Sequence, residues 1–575
     1  MDNGTLRSSL DPSPKPQLGG WRAVRFILAN ETFEKLASMS LIANLILYLH
    51  TMYNLDNVDS AYVFQIWGGT TNFSPLAGAF LADAYLGRFY TLLFGSIASF
   101  LGMGVLTLGA ALPEMRPPPC SSGKTDCIQS KSWQLAFLYL GLGLLVIGAG
   151  GIRPCNISFG ADQFDTNTEK GRAKLESFLN WWYFLFSIAL VIALTLVVYI
   201  QTNISWTLGF AIPTAAFIFS IVIFLLGRHL YICRIPQGSV FADMAKVLIA
   251  TYRKRQIPRP SPNHLHDPPM DSSKLPHTNR FLVFDKAAMV IDSSMELDEQ
   301  GRSKNEWKLC TVHQVEQLKC VVGIVPIWAA GISCFISMQQ MGSFGILQAI
   351  QMNRFLGPHF EIPPAWMSLI PMIALSLWIY IYEKYVEFMR RKTHHNKRFS
   401  MKMRIEIGIV MSVLCMIVAG ILEKIRRDSA IENRTFVSPL HVSVLIPEFA
   451  LSGLTEAFAA ISVMELLTTQ LPESLRTVAG AIFFLSLSLA SYLSSVLMGI
   501  VNRVSKTGDS KTSWLEGNDL NKNHLDYFFY VVGVIAALNF FYFRFVGTRF
   551  LPEGDVDPRV KASERRSEDE ESGFR

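Results

Sequence analysis

Charge is scarce in this chain, and it is concentrated in short segments between long apolar runs. Of the 575 residues, 50% are hydrophobic and only 17% are charged, whereas a soluble globular protein usually has about a quarter charged residues. A bilayer core holds no water to solvate charge or free backbone groups, so a membrane protein requires this pattern. The composition therefore excludes an ordinary soluble protein. The formal net charge of +6 is too modest to indicate nucleic-acid binding.

Patterns that carry enzyme chemistry are also missing. The polar segments contain no nucleophile–base pair, no phosphate-cradling loop and no metal-ligand set, and none of the eight cysteines has the spacing of a zinc site. This predicts a protein that is not an enzyme and needs no cofactor. Cys120 and Cys127 share one hydrophilic loop, and a local disulfide and two free thiols both remain open. The first twenty residues are polar, which predicts a disordered tail rather than a signal peptide.

About twelve apolar runs are long enough to cross a membrane, since a helical crossing takes about 20 residues. Six precede a long polar stretch and six follow it, which predicts an all-α membrane protein of two packed six-helix bundles. The predicted spans are 22–51, 60–82, 91–112, 133–160, 176–201, 206–228, 313–338, 363–386, 402–423, 441–468, 476–503 and 525–550. The predicted domains are a disordered tail at 1–21, a bundle at 22–228, a linker at 229–312, a bundle at 313–550 and a tail at 551–575.

Basic residues in the short loops indicate which side of the membrane each loop faces. The segment before the first span contains Lys15, Arg22 and Arg25, and Arg88 follows the second span. The loop between spans eight and nine is the most basic, with Arg390, Arg391, Lys392, Lys397, Arg398 and Lys402. With twelve spans all of these fall on one side, so both termini are expected in the cytoplasm. The basic residues at 424–427 oppose this orientation weakly.

The linker contains apolar residues at roughly helical spacing from Phe241 to Ala250, followed by three consecutive basic residues at 253–255. A helix with one apolar face and a basic end is typical of segments that lie in the membrane interface. The sequence therefore predicts an amphipathic helix along the cytoplasmic membrane surface.

Three charged residues stand together inside the first span. Glu31, Glu34 and Lys35 are spaced i, i+3 and i+4, so they share one face of a helix. Charge inside a membrane helix is expensive and indicates function by default. Facing a wet cavity, this group would bind and release protons as the cavity opens and closes, because burial and a nearby cation act in opposite directions on a carboxyl group. A static ion pair that locks the helix is the alternative.

Two further charges lie deep in predicted spans. Arg153, in the fourth, cannot shed its proton, so it should pair with a carboxylate or hold an anionic substrate; Glu31 or Glu34 is the expected partner. Glu456, in the tenth, is expected to face the first bundle across the cavity as a site or gating residue. Glu465 is a weaker candidate nearer the cytoplasmic end. A purely structural pairing is the alternative for each.

The remaining candidates are neutral side chains. Tyr48 in the first span and Gln339 in the seventh are candidates to line a cavity, although one such residue is more often part of a helix–helix hydrogen bond. Trp181, its neighbour Trp182 and Phe483 are candidates to stack on a ring-bearing substrate, although aromatic residues inside a bundle usually only pack.

Several motifs together resemble the plant nitrate transporter 1/peptide transporter family, within the proton-dependent oligopeptide transporters of the major facilitator superfamily. The likeness covers nearly everything between Gly20 and Pro552. The first-span cluster resembles the family's ExxE[R/K] motif, with Lys35 in place of the commoner arginine. The other matching stretches are GAFLAD at 78–83, LGRF at 86–89, FGADQFD at 159–165, FDKAA at 284–288, WKLCTVHQVE at 307–316 and VPIW at 325–328.

This resemblance implies a symporter that works by alternating access, with protons as the coupling ion. It makes Arg153 the counterpart of the cation that couples to the ExxE[R/K] cluster, and Glu456 the counterpart of an acid that helps to gate the site. Thr91 resembles a threonine that is a phosphorylation switch in one nitrate carrier, which implies a kinase as a partner. Where that carrier holds nitrate with a histidine, this chain has Met338, which supplies no charged donor.

The stretches GGW at 19–21 and GIRPC at 151–155 resemble clade 2, or clade 1, whose members carry nitrate, glucosinolates, flavonoid or terpenoid glycosides and some hormones. The predicted function is proton-coupled symport of a small anionic or glycosylated plant solute, such as a specialised-metabolite glycoside. A low-affinity nitrate transporter is the alternative; a peptide carrier, a hormone carrier and a non-transporting receptor are less favoured. The predicted location is the plasma membrane, with the vacuolar membrane as the alternative. The expected partners are the solute and the lipid bilayer.

Overall fold

The computed structural model describes residues 19–119, 128–165, 168–233, 240–257, 265–268, 275, 277–298, 301–393, 399–471, 475–506 and 513–550. Within these ranges, twelve long helices form two bundles of six, as predicted. The first bundle has α1 (Trp21–Met52), α2 (Asn57–Leu81), α3 (Gly87–Ala111), α4 (Ser132–Ala161), α5 (Glu169–Ile192) and α6 (Trp206–Leu226). The second has α7 (Val312–Gln340), α8 (Leu369–Thr393), α9 (Met401–Glu432), α10 (446–470), α11 (Arg476–Ser505) and α12 (Leu525–Phe545). Cys120, Cys127 and the predicted C-terminal tail lie outside the described residues.

Helices α2 and α3 run into one another without a loop. The segment Ala82–Leu86 is a wide π-helical turn. Gly87 follows it with φ 74°, a backbone conformation that residues other than glycine rarely adopt. The continuous helical segment Asn57–Ala111 has 55 residues. As one straight helix it would span about 80 Å, far more than the roughly 30 Å of a bilayer core. The segment therefore crosses the membrane twice, which accounts for the twelfth span.

Side-chain caps explain where several helices begin. Asp56 accepts from the backbone N–H of Asp59 at 2.7 Å at the start of α2. Thr311 and Gln314 bond each other's backbone N–H at 3.3 and 3.0 Å, which forms a capping box at the start of α7. Such caps satisfy the N–H groups that have no partner in the first turn.

Close backbone contact between α2 and α4 depends on glycine. A Cβ atom added at Gly78 would lie 1.7 Å from the carbonyl oxygen of Gly150. Next to this contact, a Cβ at Gly148 would lie 1.9 Å from the Ser99 hydroxyl of α3. Small residues allow membrane helices to approach closely enough for van der Waals packing. This packing fixes α4, and with it Arg153, against α2.

Replacing Gly78 with alanine should therefore force α2 and α4 apart. We expect a several-fold loss of folded, monodisperse protein in detergent and a lower melting temperature, because overpacking without room to relax destabilises a protein by roughly 1–3 kcal/mol or more. Fluorescence-detected size-exclusion chromatography and a melting curve measure both. Gly68→Ala on the same helix is the control, since a Cβ there meets no atom within 4 Å. Equal yields for the two variants would contradict the proposed contact.

A buried ion pair organises the far end of α9. Arg426 is fully buried and donates to both carboxylate oxygens of Glu423 at 2.8 Å and to the side chain of Asn521 at 2.8 Å. Gln348 donates to the same carboxylate at 2.9 Å, and Arg427 donates to the backbone of Asn521 at 3.0 Å. These two arginines therefore make structural hydrogen bonds inside the bundle and are not loop charges exposed to solvent. This removes most of the opposition that the segment 424–427 offers to the predicted orientation.

The two bundles are joined towards one end, where α1 ends and α2 begins, which we call the sealed end. Three buried or half-buried hydrogen bonds cross between them: Gln65 to Ser343 at 3.2 Å, Thr70 to Tyr492 at 2.9 Å and Asn57 to Gly517 at 2.7 Å. An exposed one joins Asn203 to the backbone oxygen of Glu361 at 2.9 Å. A short hairpin, Phe355–Leu356 with Phe360–Glu361, lies over this end. Its Phe360 ring stacks on Tyr199 of the other bundle with centroids 5.9 Å apart.

The predicted linker helix is present at Val240–Arg253. Its buried face, centred on Val247 and Ala250, packs against Ala287, Ala288 and the start of α7 rather than lying free. Position at the membrane surface stays a prediction.

A buried cluster ties the following segment of the linker to α7. The Lys319 ammonium bonds Asp285 at 2.6 Å and Glu316 at 2.8 Å, and His277 bonds Asp285 at 3.0 Å. The carboxylate and imidazole groups lie close enough together to resemble a metal site. Lys319 already supplies the cation that the two carboxylates need, so the cluster is explained as a structural tie.

Candidate functional site

The predicted cluster on α1 is buried and in mutual contact. Glu31, Glu34 and Lys35 are 3%, 4% and 8% exposed. The Lys35 ammonium lies 3.0 Å from the Glu34 carboxylate and 3.5 Å from that of Glu31. One helix face brings the three together because residues three and four apart are neighbours on an α-helix. The geometry confirms the shared face that the spacing predicted.

The cluster has one cation for two carboxylates, so it carries an excess negative charge when both are ionised. One oxygen of Glu31, Oε2, accepts no hydrogen bond of full geometry from any residue that the structure describes. A buried charge without full compensation is strongly unfavourable. A proton, or a cation that moves closer, would relieve it. The arrangement is therefore suited to reversible proton binding.

Arg153 does not make the ion pair that the sequence predicted. Its guanidinium donates to the side-chain oxygen of Asn72 at 2.8 Å and to the backbone oxygen of Thr71 at 3.4 Å, both on α2. Within the described ranges no carboxylate reaches ion-pair distance of Arg153, although Glu34 still acts on it electrostatically. The partner expected from the sequence was wrong for this conformation. The sequence could not show it, because α2 reaches α4 through a glycine contact that only the fold reveals.

Glu456 lies at a local break in α10. It is the first residue of the π-helical turn Glu456–Ala460, between the regular segments Ile446–Thr455 and Ile461–Gln470. Such turns occur often at functional sites. Its side chain is half-buried, and no cation of the described chain pairs with it. Glu465, by contrast, pairs with Arg404 of α9 at 2.7 Å, which explains it as a tie between two helices.

Two of the aromatic candidates are not where the sequence placed them. Tyr48 is fully buried among Tyr53, Trp206 and Phe210, with ring centroids 4.8 to 5.5 Å away, so a substrate cannot reach it. Trp181 is half exposed and packs on its own helix, whereas the next residue, Trp182, lies against the Glu31 carboxylate. Consecutive residues of a helix point about 100° apart. Hydropathy did not reveal which tryptophan faces the cluster, because both sides of α5 are apolar.

The candidates of the second bundle lie on α7 and α11. Met338 and Gln339 are half-buried, and Met338 packs against the core of its bundle. Phe483 meets Phe335 edge to face, with centroids 5.8 Å apart. These contacts do not test a role in substrate binding, so that role stays a prediction for Met338, Gln339 and Phe483. Trp328, which the sequence did not single out as a site residue, bonds Ser486 through its indole N–H and joins the same face of α7 and α11.

Thr91 is buried at the start of α3. Its side chain is 5% exposed and donates to the backbone oxygen of Gly87 at 2.9 Å. Its own backbone oxygen lies close to Gly151 of α4. A kinase cannot reach the hydroxyl in this conformation, so phosphorylation would require this end of α3 to separate from α4.

Comparison with known proteins gives one consistent result. The family model described as PTR2, POT family, matches residues 89–515. Protein NRT1/PTR FAMILY 2.8 of Arabidopsis thaliana is 52% identical over 546 residues, covering 94% of this chain and 97% of that protein. NRT1/PTR FAMILY 2.13 of the same plant is 42% identical over 551 residues, covering 94% and 88%.

Solved structures agree on the fold. The POT family transporter PepTSo superposes with a TM-score of 0.65 at 18% identity, covering 93% of this chain and 99% of that one. A POT family transporter in complex with 5-aminolevulinic acid superposes with a TM-score of 0.61 at 11% identity, covering 93% and 99%. These likenesses show the major facilitator fold, and the family consists of transporters rather than enzymes. The chain belongs to the POT family of multi-pass membrane transporters and, within it, to clade 2 of the plant NRT1/PTR family.

Proposed function

We propose that this transporter is a proton-coupled symporter that moves a small anionic or glycosylated plant solute by alternating access. The observation that supports this most is the buried α1 cluster, in which Glu31 and Glu34 share the single cation Lys35. A carboxylate pair with an excess negative charge takes up a proton when it is closed off from water and releases it when the cavity is wetted. That cycle is the chemistry that proton coupling needs.

Arg153 supplies the link between the proton and the solute. Because its guanidinium has hydrogen bonds but no ion pair with any residue that the structure describes, it is available to an anionic group in the cavity. When a proton neutralises the cluster, Glu34 attracts Arg153 less, and the guanidinium is held for the solute instead. Release of the proton reverses this. Glu456, from the other bundle, would sense the occupied cavity, since its half-buried carboxyl group has no described cation as partner.

The proposed orientation places both termini in the cytoplasm and the sealed end outside the cell. The basic loops support it, and the structural role of Arg426 and Arg427 removes most of the contrary signal. Bonds between the bundles at the sealed end then correspond to a state that is closed to the outside. We assign the transporter to the plasma membrane, with the vacuolar membrane as the alternative.

Two features support the solute class. Met338 offers no charged donor on α7, so Arg153 is the main candidate to hold an anionic group. Aromatic side chains of α7 and α11, including Trp328 and Phe483, offer flat surfaces for a ring. A glycoside with an acidic group would use both. Nitrate is the second candidate, because a guanidinium without a carboxylate partner also suits a small planar anion.

A panel of labelled solutes in pH-clamped oocytes tests the proposal. The probes are ¹⁵N-nitrate, allyl glucosinolate, a flavonol glucoside and a gibberellin, each measured in acidic and in neutral external buffer. We expect one class to accumulate, with uptake that rises as the external medium is acidified and an inward current that accompanies it. Water-injected oocytes are the control. Binding of a probe to purified protein without uptake at any pH would identify a receptor and overturn the proposal.

A further inference from the structure

Two polar atoms beside the α1 cluster complement each other. The indole nitrogen of Trp182 and Oε2 of Glu31 are both buried, and neither makes a hydrogen bond of full distance and angle with a described residue. The indole N–H nevertheless lies close enough to interact with the Glu31 carboxylate. Indole nitrogen only donates and a carboxylate oxygen accepts, so a small rotation of either side chain completes the bond.

Packing from both α5 and α1 holds the Trp182 ring in place. The ring stacks on Phe186, one turn further along α5, with centroids 5.5 Å apart and planes 12° from parallel. It also packs against the apolar cluster of Val24, Leu28 and Phe178, which fills the contact between α1 and α5. The donor therefore belongs to α5, and its ring is packed against the helix that carries the proton-binding group.

We infer that Trp182 is a positioning residue for the proton site: its indole N–H donates to the carboxylate of Glu31 and stabilises the ionised form of that group. This inference rests on the proposed proton coupling. A hydrogen-bond donor favours the charged form of a carboxyl group. A movement of α5 relative to α1 would therefore change how tightly Glu31 binds its proton.

Few charged groups surround Glu31, so one hydrogen-bond donor changes how tightly its carboxylate binds a proton. On α1 the charged groups that act on it are Glu34 and Lys35. Arg153 of α4 acts on Lys35 and Glu34 rather than on Glu31 directly. Helix α6, which packs along α1, contains no titratable residue. On α5, the side chain that interacts with Glu31 is that of Trp182.

Trp182→Phe tests this, because phenylalanine keeps a flat ring and removes only the indole donor. Uptake of the panel solute that the wild type accumulates is measured across external pH. We expect the pH of half-maximal uptake to move about 0.5 to 1 unit towards alkaline values, the scale of one lost hydrogen bond. Trp181→Phe is the matched control, since that ring is half exposed and packs on Phe184. A Trp182→Phe profile identical to the control would overturn the inference.

A second readout needs no solute. The chain has 11 tryptophans, so the difference in fluorescence between wild type and Trp182→Phe isolates the emission of Trp182. We expect this difference signal to change with pH in purified protein and to lose that change in Glu31→Gln. A signal that stays flat in the wild-type background would overturn the role of Trp182. If uptake by the wild type itself does not respond to pH, the proposed coupling fails while the fluorescence titration still reports on Trp182. Equal melting temperatures for the two tryptophan variants show that folding is not the cause.

Discussion

Glu34→Gln is expected to abolish proton-driven accumulation while the protein still reaches the cell surface. Glu34 is 4% exposed and makes the shorter of the two bonds to Lys35, at 3.0 Å. Glutamine has nearly the same shape but cannot bind or release a proton. It also removes the excess negative charge of the cluster, so the remaining Glu31–Lys35 pair is balanced and has no reason to take a proton. We expect accumulation to fall at least about tenfold, to the level of passive equilibration.

Exchange experiments distinguish a loss of proton coupling from a loss of transport activity as a whole. With solute on both sides of the membrane and no proton gradient, Glu34→Gln should still exchange labelled for unlabelled solute, because alternating access itself does not require the gradient. Glu387→Gln is the control: that residue is an exposed glutamate of α8 that pairs with Lys384 at 3.1 Å and Arg391 at 2.6 Å. Accumulation in Glu34→Gln that keeps the pH response of the wild type would show that Glu34 is only a structural ion pair.

Much of the fold was predictable because the bilayer imposes one rule on every span. Each crossing must be helical, long and apolar, so hydropathy locates the spans. Spans two and three are divided in the sequence by Asp83 and Arg88, and in the structure the turn Ala82–Leu86 and Gly87 lie at this place. The spacing of Glu31, Glu34 and Lys35 also sufficed, because the i, i+3, i+4 rule is local to one helix.

What failed depended on how helices face one another. The residues around Tyr48, at 45–49, and those at 181–186 are apolar or aromatic on every side of the helix, so no polar stripe marks the cavity face there. The partner of Arg153 was missed for a different reason. Opposite charges in one cavity suggest an ion pair, yet in a carrier such a pair can form in one state of the cycle and break in another. In the state described here, Arg153 donates a hydrogen bond to Asn72. The burial of Thr91 against α4 could not be predicted from the motif, because it depends on how the two helices pack.

Replacing Arg153 separates a role in charge from a role in structure. Alanine removes both the positive charge and the bond to Asn72, whereas glutamine removes the charge and keeps an amide N–H donor on a shorter side chain. If the charge links proton and solute, both Arg153→Ala and Arg153→Gln should lose proton-driven accumulation. A hydrogen bond to a charged group contributes about 1.5–3 kcal/mol, so uptake at low solute concentration should fall by roughly tenfold or more.

The result for Arg153→Gln decides between a structural role and an anion-binding role for Arg153. If Arg153 only ties α4 to α2, loss of transport should follow loss of folded protein in both variants, and the protein that does fold should transport normally. If instead the glutamine variant folds, melts like the wild type and still exchanges an uncharged solute but not an anionic one, the guanidinium is the anion-holding group. The cluster on α1 and the cation on α4 then form one unit: the proton determines whether the excess negative charge attracts Arg153, and therefore whether Arg153 is free to hold the solute.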